Sequence, residues 1–316
     1  MNPFKFSLDN KRYHTLNYYN KIHFGGKVFK AVIDGGFTCP NADGTKGTGG
    51  CIFCDGGSGY FTNGNVSVEA QLASEIKRIR SKNHNAKIIA YFQANTNTYA
   101  PAKKLEKLYR SVLCSPEIIG ISIGTRADCL DDDVIAVLSD LCNDTNLTVE
   151  LGLQSVHDST INYINRKYSH SEFLQGYAKL KNAGIRTCLH IINGLPHETD
   201  EMMLETARQA ALLRPEAVKL QMLHIISGTQ LHKQYIAQPF EMLTMQDYIT
   251  IVSKQLEFFS PETVIERLTG DGDKKKLVAP MWSANKIAVL GGIDKFQASS
   301  DSYQGKYFSE ISHNKF

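Results

Sequence analysis

Short apolar runs alternate with amphipathic segments over residues 27–226 of this 316-residue chain. The runs are rich in β-branched residues, and such near-continuous runs are typical of parallel strands covered on both faces. The pattern predicts strands over 27–34, 87–93, 118–125, 147–154, 186–193 and 217–226. It predicts helices between them, over 68–81, 101–114, 132–143, 171–183 and 200–214. This alternation favours an α/β fold with a parallel sheet and right-handed crossovers.

The order of these elements leaves two architectures open. Six βα units can form an open doubly wound sheet or a partly closed barrel, and ligands bind at the carboxyl ends of the strands in both. We interpret residues 1–230 as the core and 231–316 as a C-terminal extension packed on it. Within the extension, Thr244 and Asp247 have the spacing of a capping box at the start of a helix over 244–259.

Composition and charge are those of an ordinary globular protein, with 42% hydrophobic and 21% charged residues. No run approaches the roughly 20 apolar residues of a membrane span, and the polar N-terminus lacks the apolar core of a signal peptide. We therefore expect a cytoplasmic protein that does not associate with a membrane and whose thiols stay reduced. The net charge of +3 neither requires nor excludes a nucleic-acid partner.

Three of the seven cysteines lie in one glycine-rich segment directly after the first predicted strand: Cys39, Cys51 and Cys54. A structural zinc site takes four protein ligands, and a disulfide framework takes an even number of cysteines. Three thiolates can instead hold three irons of a [4Fe–4S] cluster and leave the fourth iron open to a chelating ligand. The alternative is a degenerate zinc loop or three unrelated thiols. We expect the other cysteines to be small buried hydrophobic residues, namely Cys114, Cys129, Cys142 and Cys188.

These features resemble the radical S-adenosylmethionine (radical SAM) superfamily. Cys51 and Cys54, with Phe53 just before the last cysteine, match the second half of its three-cysteine motif. The eleven residues between Cys39 and Cys51 resemble the branch that contains the catalytic subunit of eukaryotic elongator. Stretches similar to stand-alone bacterial proteins of that branch are YFQANTNTYAP (91–101), IGTRADCL (123–130), ELGLQS (150–155), HIINGLPHET (190–199) and ERLTGDGD (266–273).

The resemblance implies a partial (β/α)6 barrel of the TIM type with a C-terminal extension. It also implies an enzyme that cleaves SAM with a [4Fe–4S] cluster, generates a 5′-deoxyadenosyl radical and receives electrons from a donor such as flavodoxin or ferredoxin. The implied cluster ligands are Cys39, Cys51 and Cys54. The implied SAM contacts at the strand ends are Gln93, Asn95, Glu150, Gln154, Arg166 and His190.

The chemistry of Arg166 supports its implied contact with SAM, whereas Glu150 has an alternative role. Arg166 suits a bidentate contact to the SAM carboxylate. Glu150 and Gln154 differ by an even number of residues, so both face the same side of a strand; however, Glu150 could instead pair in the core with a lysine such as Lys219. Outside this set, Arg126 is either a SAM or substrate contact or the ion-pair partner of Asp128.

The elongator resemblance implies that the substrate is a tRNA wobble uridine, modified on its carbon-5 side chain. The most specific form of this hypothesis is trimming of a carboxymethylaminomethyl group to aminomethyl. The alternatives are radical chemistry on a small metabolite or protein side chain, and a non-enzymatic iron–sulfur carrier or electron-transfer protein. The basic residues considered for RNA binding are Lys21, Lys27, Lys30, Lys77, Arg78, Arg80, Lys82, Lys103 and Lys104.

Overall fold

The computed structural model describes residues 4–56, 64, 66–270 and 272–313. The strands are β1 (Val28–Ile33), β2 (Lys87–Phe92), β3 (Ile118–Thr125), β4 (Asn146–Gln154), β5 (Arg186–Asn193), β6 (Ala217–Met222), β7 (Ile225–Ile226), β8 (Val264–Arg267) and β9 (Leu277–Ala279). The helices are α1 (Leu16–Phe24), α2 (Val68–Lys82), α3 (Ala102–Leu113), α4 (Asp132–Asp144), α5 (Asp158–Tyr163), α6 (His170–Asn182), α7 (Asp200–Leu212), α8 (Gln230–Ala237), α9 (Met245–Leu256), α10 (Lys286–Ser299) and α11 (Phe308–His313).

A seven-stranded parallel sheet in the order β1-β2-β3-β4-β5-β6-β8 forms the centre of the molecule. The predicted α/β fold with a parallel sheet is confirmed, and the sheet has one strand more than the predicted six. The added strand β8 comes from the segment after residue 230 and pairs with β6. The division of the chain near residue 230 stays a prediction.

The two edge strands of this sheet meet, so the sheet is curled into a partial barrel. In a flat sheet, β1 and β8 would be separated by six spacings of about 4.8 Å, or roughly 29 Å. Instead, Lys30 Nζ on β1 lies 2.9 Å from Glu266 Oε2 on β8. A shift in register between β6 and β8 leaves Glu266 unmatched between Ile265 and Arg267, and this local bulge accompanies its approach to β1.

The helices cover the outer face of the sheet, and their boundaries follow the capping signals of the sequence. α9 begins with the predicted Thr244–Asp247 capping box, and α6 begins with a second one formed by Ser169 and Glu172. Fully buried side chains from these helices form the core against the sheet, including Leu105, Tyr109, Leu138, Phe173 and Val252.

The predicted strand over 217–226 is divided into two strands of different sheets. β6 ends at Met222, and the backbone N–H of Leu223 donates to Asn193 O at 2.9 Å. The following β7 pairs antiparallel with β9 instead of continuing along β5. The apolar run alone does not show this change of partner.

A short helix that the apolar pattern did not predict closes the amino-terminal end of the barrel. α1 carries two asparagines and four aromatic or histidine side chains in nine residues, a composition with low helix propensity. Its N-cap Thr15 accepts from Tyr18 N, and the preceding residue His14 accepts from Ile265 N of β8 at 2.8 Å. Tertiary contacts with the edge strand therefore hold α1 in place.

One polar side chain from each strand of the sheet reaches the interior of the barrel at the same height. Glu150 lies at the centre of this set and has no exposed side-chain surface. We call the set the lumen layer, and its members are Lys30, Tyr91, Ser122, Glu150, His190, Lys219 and Glu266.

Five hydrogen-bond donors converge on the Glu150 carboxylate. Oε1 accepts from Lys30 Nζ and Ser122 Oγ, each at 2.6 Å. Oε2 accepts from Tyr91 Oη and His190 Nε2, each at 2.8 Å, and from Lys219 Nζ. A carboxylate offers about four lone-pair sites, so Glu150 has no free acceptor site for a further ligand.

The charges of the lumen layer balance. Burial raises the pKa of Glu150, but Lys219 and Lys30 outweigh it and hold that pKa well below its usual range. Burial and the charge of Lys219 lower the pKa of His190, which is therefore neutral at pH 7 and donates from Nε2. Two ammonium groups thus face two carboxylates, because the pKa of Glu266 is also lowered by both lysines despite its burial.

The expectation that the remaining cysteines are buried is confirmed for two of them and wrong for two. Cys129 and Cys188 are buried, whereas Cys142 is half-buried and Cys114 is exposed. Cys114 caps the carboxyl end of α3, where its side chain faces solvent. Within the described ranges, no helix has the length and apolar character needed to span a membrane.

We expect Glu150→Gln to lower the free energy of unfolding by about 3–5 kcal/mol, because it leaves buried lysine charge without its partner. The contribution of Glu150 is present above its unfolded pKa of about 4.3 and is lost as pH falls through the lower folded value. The loss should therefore be largest near pH 7 and shrink in acid. Urea denaturation measures it, and Glu201→Gln, at an exposed ion pair with Arg208, is the control. Equal effects of the two substitutions would contradict a central role for Glu150.

Candidate active site

The three cysteines lie in the loop that follows β1, at the carboxyl-terminal end of the barrel. Cys39 and Cys51 are half-buried, and Cys54 is exposed. The loop turns tightly between them: Gly50 has φ 73°, and a Cβ on Gly47 would lie 2.4 Å from Asn41 Oδ1. Glycine is therefore required where the loop folds back on Asn41.

The cysteine thiols share one neighbourhood. Burial, together with the nearby charges of Cys54 and Cys39, raises the pKa of the Cys51 thiol to about 11. Among the described residues, no three His, Cys, Asp or Glu side chains converge closely enough to hold a single metal ion. Thiolates that each bind a different iron of one cluster do not have to converge on a single point.

Side chains from other strand ends hold this loop in its conformation. Asn41 Nδ2 donates to Asn165 O at 2.6 Å and lies 3.6 Å from Cys51 Sγ. Asn165 in turn donates from Nδ2 to Gly50 O at 2.7 Å. The segment that contains Asn165 is therefore bound to the cysteine loop at two points, Asn41 and Gly50.

Asn95 and Gln93, two predicted SAM contacts, follow β2 beside the same loop. Asn95 has φ 59°, and its Nδ2 donates to Phe37 O at 2.9 Å, which fixes the start of the loop. The backbone N–H of Gln93 donates to Ile33 O at 3.3 Å. Both residues thus lie at the predicted end of the barrel, and their contacts to SAM stay a prediction.

Gln154 ends β4 in a strained backbone conformation. It has φ 62°, in the left-handed region that non-glycine residues rarely adopt. A Cβ on Gly152 would lie 2.7 Å from Gln154 Nε2, so the glycine makes room for the amide. Gln154 Oε1 is buried and has no hydrogen-bond partner among the described residues.

Arg166 lies beside Gln154 and is almost fully buried, with 2% of its surface exposed. Its Nη1 donates to Leu153 O and Ser155 O, the carbonyls on either side of Gln154. Its Nη2 is buried and has no partner within the part of the chain that the structure describes. Burial lowers the pKa of Arg166, but an arginine stays charged at neutral pH.

Arg126 and Arg166 both contact the ring of Tyr168. The guanidinium carbons of Arg126 and Arg166 lie 4.6 Å and 4.1 Å from the centre of the Tyr168 ring. Arg126 binds Asp128 through Nε and Nη2 at 2.9 Å and 3.0 Å, which is the ion-pair alternative for this residue. Its charge partly opposes the rise in the pKa of the Cys51 thiol, so it lies near the cluster loop.

Glu150 and His190 lie deeper in the barrel than the other predicted contacts. Both belong to the lumen layer, where they bind each other at 2.8 Å. Glu150 pairs with Lys219, as the alternative interpretation of its charge proposed. A direct contact between Glu150 and SAM would have to displace one of its five donors, and that contact stays a prediction.

The RNA-binding interpretation of Lys30 is wrong, because its ammonium lies in the lumen layer and not on the outer surface. Two arginines of the same set form ion pairs on the surface of α2: Arg78 with Glu75, and Arg80 with Glu117.

Residues 274–276 also lie near the site, and no pattern in the sequence predicted this. Lys276 Nζ lies 3.5 Å from Asp55 Oδ2, directly after Cys54. Only the tertiary fold brings these distant segments together.

The unpartnered atoms at this end fit the cofactors that the sequence predicts. A buried polar atom without a partner costs about 1–3 kcal/mol, and such atoms often mark a ligand site. Arg166 Nη2 is a charged donor that suits a carboxylate, and Gln154 Oε1 is an acceptor that suits an ammonium or hydroxyl group. SAM carries all three groups, and the three neighbouring thiols suit an iron–sulfur cluster.

Comparisons with known proteins agree with this geometry. Residues 44–210 match the radical SAM superfamily, and residues 215–296 match the Radical_SAM C-terminal domain. The chain is 47% identical over 312 residues to the protein YtqA of Bacillus subtilis, covering 98% of this chain and 97% of YtqA. It is 22% identical over 264 residues to Elongator complex protein 3 of Schizosaccharomyces pombe, covering 70% of this chain and 48% of that protein.

A solved structure supports the same fold. The archaeal Methanocaldococcus infernus Elp3 with an N-terminal deletion superposes with a TM-score of 0.65 at 15% identity, covering 90% of this chain and 67% of that one. The chain therefore belongs to the radical SAM superfamily, whose cofactors are a [4Fe–4S] cluster and SAM. Within the superfamily it is similar to the branch of the elongator catalytic subunit.

We expect anaerobically reconstituted protein to bind about four irons and to show the broad charge-transfer absorption of a [4Fe–4S] cluster. Replacing Cys39, Cys51 and Cys54 together with Ala should abolish both, because no protein ligand to the irons remains. Iron analysis and absorption spectra measure the loss. Cys114→Ala, at an exposed cysteine, should leave the cluster unchanged. An intact cluster in the triple variant would refute the ligand assignment.

We expect Gln154→Leu and Arg166→Lys to weaken SAM binding by about ten- to a hundredfold, because a hydrogen bond to a charged group contributes roughly 1.5–3 kcal/mol. Lysine keeps the charge of Arg166 but cannot form its bidentate contacts. Equilibrium dialysis of reconstituted protein measures the affinity, with Arg110→Lys on the surface of α3 as the control. Wild-type affinity in both variants would show that SAM binds elsewhere.

Proposed function

We propose that this radical SAM enzyme modifies the carbon-5 side chain of a wobble uridine in tRNA. The proposal rests on the elongator-type spacing of Cys39, Cys51 and Cys54 and on the similarity to Elongator complex protein 3. It also requires a surface that binds RNA beside the cluster loop.

The observation that carries the proposal is a basic rim around that loop. Lys274, Lys275 and Lys276, which we call the mouth lysines, are exposed in the sequence DKKK, and Lys276 contacts Asp55 next to Cys54. On the other side, Lys104 Nζ lies 5.7 Å from the centre of the Phe37 ring, two residues before Cys39. Lysines in this position can bind the phosphates on either side of a uridine that is turned out of the RNA stack.

Other predicted basic residues lie away from this rim. α2 runs back along the sheet, so Lys82 at its end lies near the start of β2, at the amino-terminal end of the barrel. Lys21 on α1 and Lys27 before β1 lie at the same end. Lys103 and Lys104 open α3 directly after the β2 loop, and they belong to the catalytic end.

The most specific reaction is conversion of a carboxymethylaminomethyl side chain to aminomethyl. The bond between the nitrogen and the carboxymethyl carbon breaks, water adds to that carbon, and the fragment leaves as glyoxylate. The substrate thereby loses two electrons and two protons. Reductive cleavage of one SAM to methionine and 5′-deoxyadenosine takes up two electrons and one proton, so one proton is released overall. One electron from an external donor starts the reaction and is regained from the oxidised substrate.

Different groups of residues orient SAM, bind the RNA and close the barrel. Arg166 and Gln154 orient SAM at the end of β4, and the basic rim holds the RNA backbone over the loop. The lumen layer closes the barrel below, because its polar atoms are bonded to one another across all seven strands. An iron–sulfur carrier would not need the unpartnered atoms of Arg166 and Gln154.

We expect a strain without the gene to lack one wobble-uridine nucleoside and to accumulate its carboxymethylaminomethyl precursor. Purified enzyme with SAM and a reductant should convert deletion-strain tRNA and release glyoxylate and 5′-deoxyadenosine in equal amounts. Mass spectrometry of tRNA nucleosides and small products measures both. Identical nucleosides in the two strains under several growth conditions would remove tRNA from consideration and favour a small metabolite or protein substrate.

Two charge-reversal variants test whether RNA binds at the predicted end in the same assay. K274E/K275E/K276E changes the mouth lysines, and K21E/K27E/K82E makes the same change of charge at the opposite end of the barrel. The first variant should lose tRNA affinity and show a shallower dependence on salt, because phosphate contacts release counterions. Equal losses in the two variants would contradict RNA binding at the cluster loop.

A further inference from the structure

A cavity of about 480 Å³ lies at the amino-terminal end of the barrel, opposite the cluster loop. Its walls are α1 and the first residues of β1, β4 and β5, and Lys30, Ser122, Lys219 and Glu266 of the lumen layer line its inner end. A volume of this size is typical of pockets for small metabolites. The mutually bonded lumen layer separates it from the catalytic end, so a ligand there is not the group that reacts.

The cavity carries an excess of positive charge. Lys30 and Lys219 are balanced by the carboxylates of Glu150 and Glu266 within the lumen layer. Arg186 also lines the cavity and adds a positive charge to its wall. A partly enclosed site with this excess attracts an anion, because the surrounding protein focuses the field of the charges.

Arg186 has its hydrogen-bonding capacity available for such an anion. Its guanidinium carbon lies 4.6 Å from the centre of the Tyr19 ring on α1. Cation–π contact of this kind fixes the plane of the guanidinium but leaves its N–H groups unused. No hydrogen bond or ion pair joins the Arg186 side chain to another described residue. An arginine fixed in this way is suited to a bidentate contact with a carboxylate or phosphate.

Asn20 provides a second, independent indication of a ligand. It is the buried polar residue of α1, with 7% of its surface exposed, and it lines the cavity. Its side-chain amide makes no hydrogen bond to another described residue, so its donor and acceptor atoms are available to a molecule in the cavity. The amide can donate to an anion that also contacts Arg186, or to another polar group of the same molecule.

We propose that this cavity is a second binding site, which holds a small organic anion with a carboxylate or phosphate group. Arg186 pairs with the anionic group, and the Asn20 amide completes its hydrogen bonds. The ring faces of α1 and the apolar side chains at the start of β1 cover the rest of the molecule. This site is independent of the substrate proposed for the catalytic end.

Isothermal titration calorimetry of reconstituted protein tests the proposal with ribose 5-phosphate, succinate and uncharged ribose as probes. At least one of the two anions should bind saturably, and ribose should not bind. Arg186→Gln and Asn20→Asp should each weaken that binding by at least about tenfold, through a lost bidentate contact and through added negative charge. SAM affinity should stay unchanged, which shows that the catalytic end is intact.

Arg110→Gln, the same chemical change on the exposed face of α3, is the matched control and should bind the anion as wild type does. Binding of only one probe identifies the anionic group as a phosphate or a carboxylate. Absence of saturable binding by both anions at millimolar concentrations would overturn the proposal. Wild-type affinity in both cavity variants, or equal binding of ribose, would also overturn it.

Discussion

The carboxylate of Glu150 is the interaction on which the rest of the structure depends. Five donors from five strands meet on its two oxygens. One of these donors, Lys30, also binds Glu266 on the opposite edge strand. The buried charge cluster therefore curls a seven-stranded sheet into a partial barrel without a hydrogen-bonded ladder between β1 and β8. Such a cluster is stable only when every member is paired, because an unpaired charge in the same place would be strongly unfavourable.

This layer divides the barrel into two ends with different properties. Above it, Gln154 Oε1 and Arg166 Nη2 are buried and have no hydrogen-bond partner among the described residues, as expected for a site completed by a cofactor. Below it, Arg186 and Asn20 line a partly enclosed cavity, and their side chains make no hydrogen bond to another described residue. Within the layer, the Glu150 oxygens are fully bonded. The polar groups of the lumen layer are bonded to one another and stabilise the barrel. The polar groups without partners at its two ends indicate where ligands bind.

The sequence predicts the strands of the sheet and the position of the cysteine loop because both follow from local periodicity and from the rule for parallel sheets. The partial barrel was implied only by the resemblance to the radical SAM superfamily. Periodicity also places Glu150 and Gln154 on one face of β4, but it does not show how far inside the barrel each side chain lies. Four residues separate them by roughly 13 Å along the strand, so one lies in the lumen layer and the other at the rim. The seventh strand was not predicted as part of the sheet, because β8 is only four residues long and joins β6 across an intervening segment of the chain. The approach of Lys276 to Asp55 is a tertiary contact that no local pattern contains.

The most direct test of the account follows a single hydrogen atom. tRNA from the deletion strain would carry deuterium on the carboxymethyl carbon of its wobble-uridine side chain, introduced by growth on labelled glycine. After reaction with the enzyme, SAM and reductant, mass spectrometry of the 5′-deoxyadenosine formed shows whether that hydrogen has been removed. The account predicts one deuterium in each 5′-deoxyadenosine that accompanies product. Unlabelled 5′-deoxyadenosine together with full conversion of the nucleoside would show that the reaction begins at a different atom, and absence of conversion would contradict the assignment of tRNA as substrate.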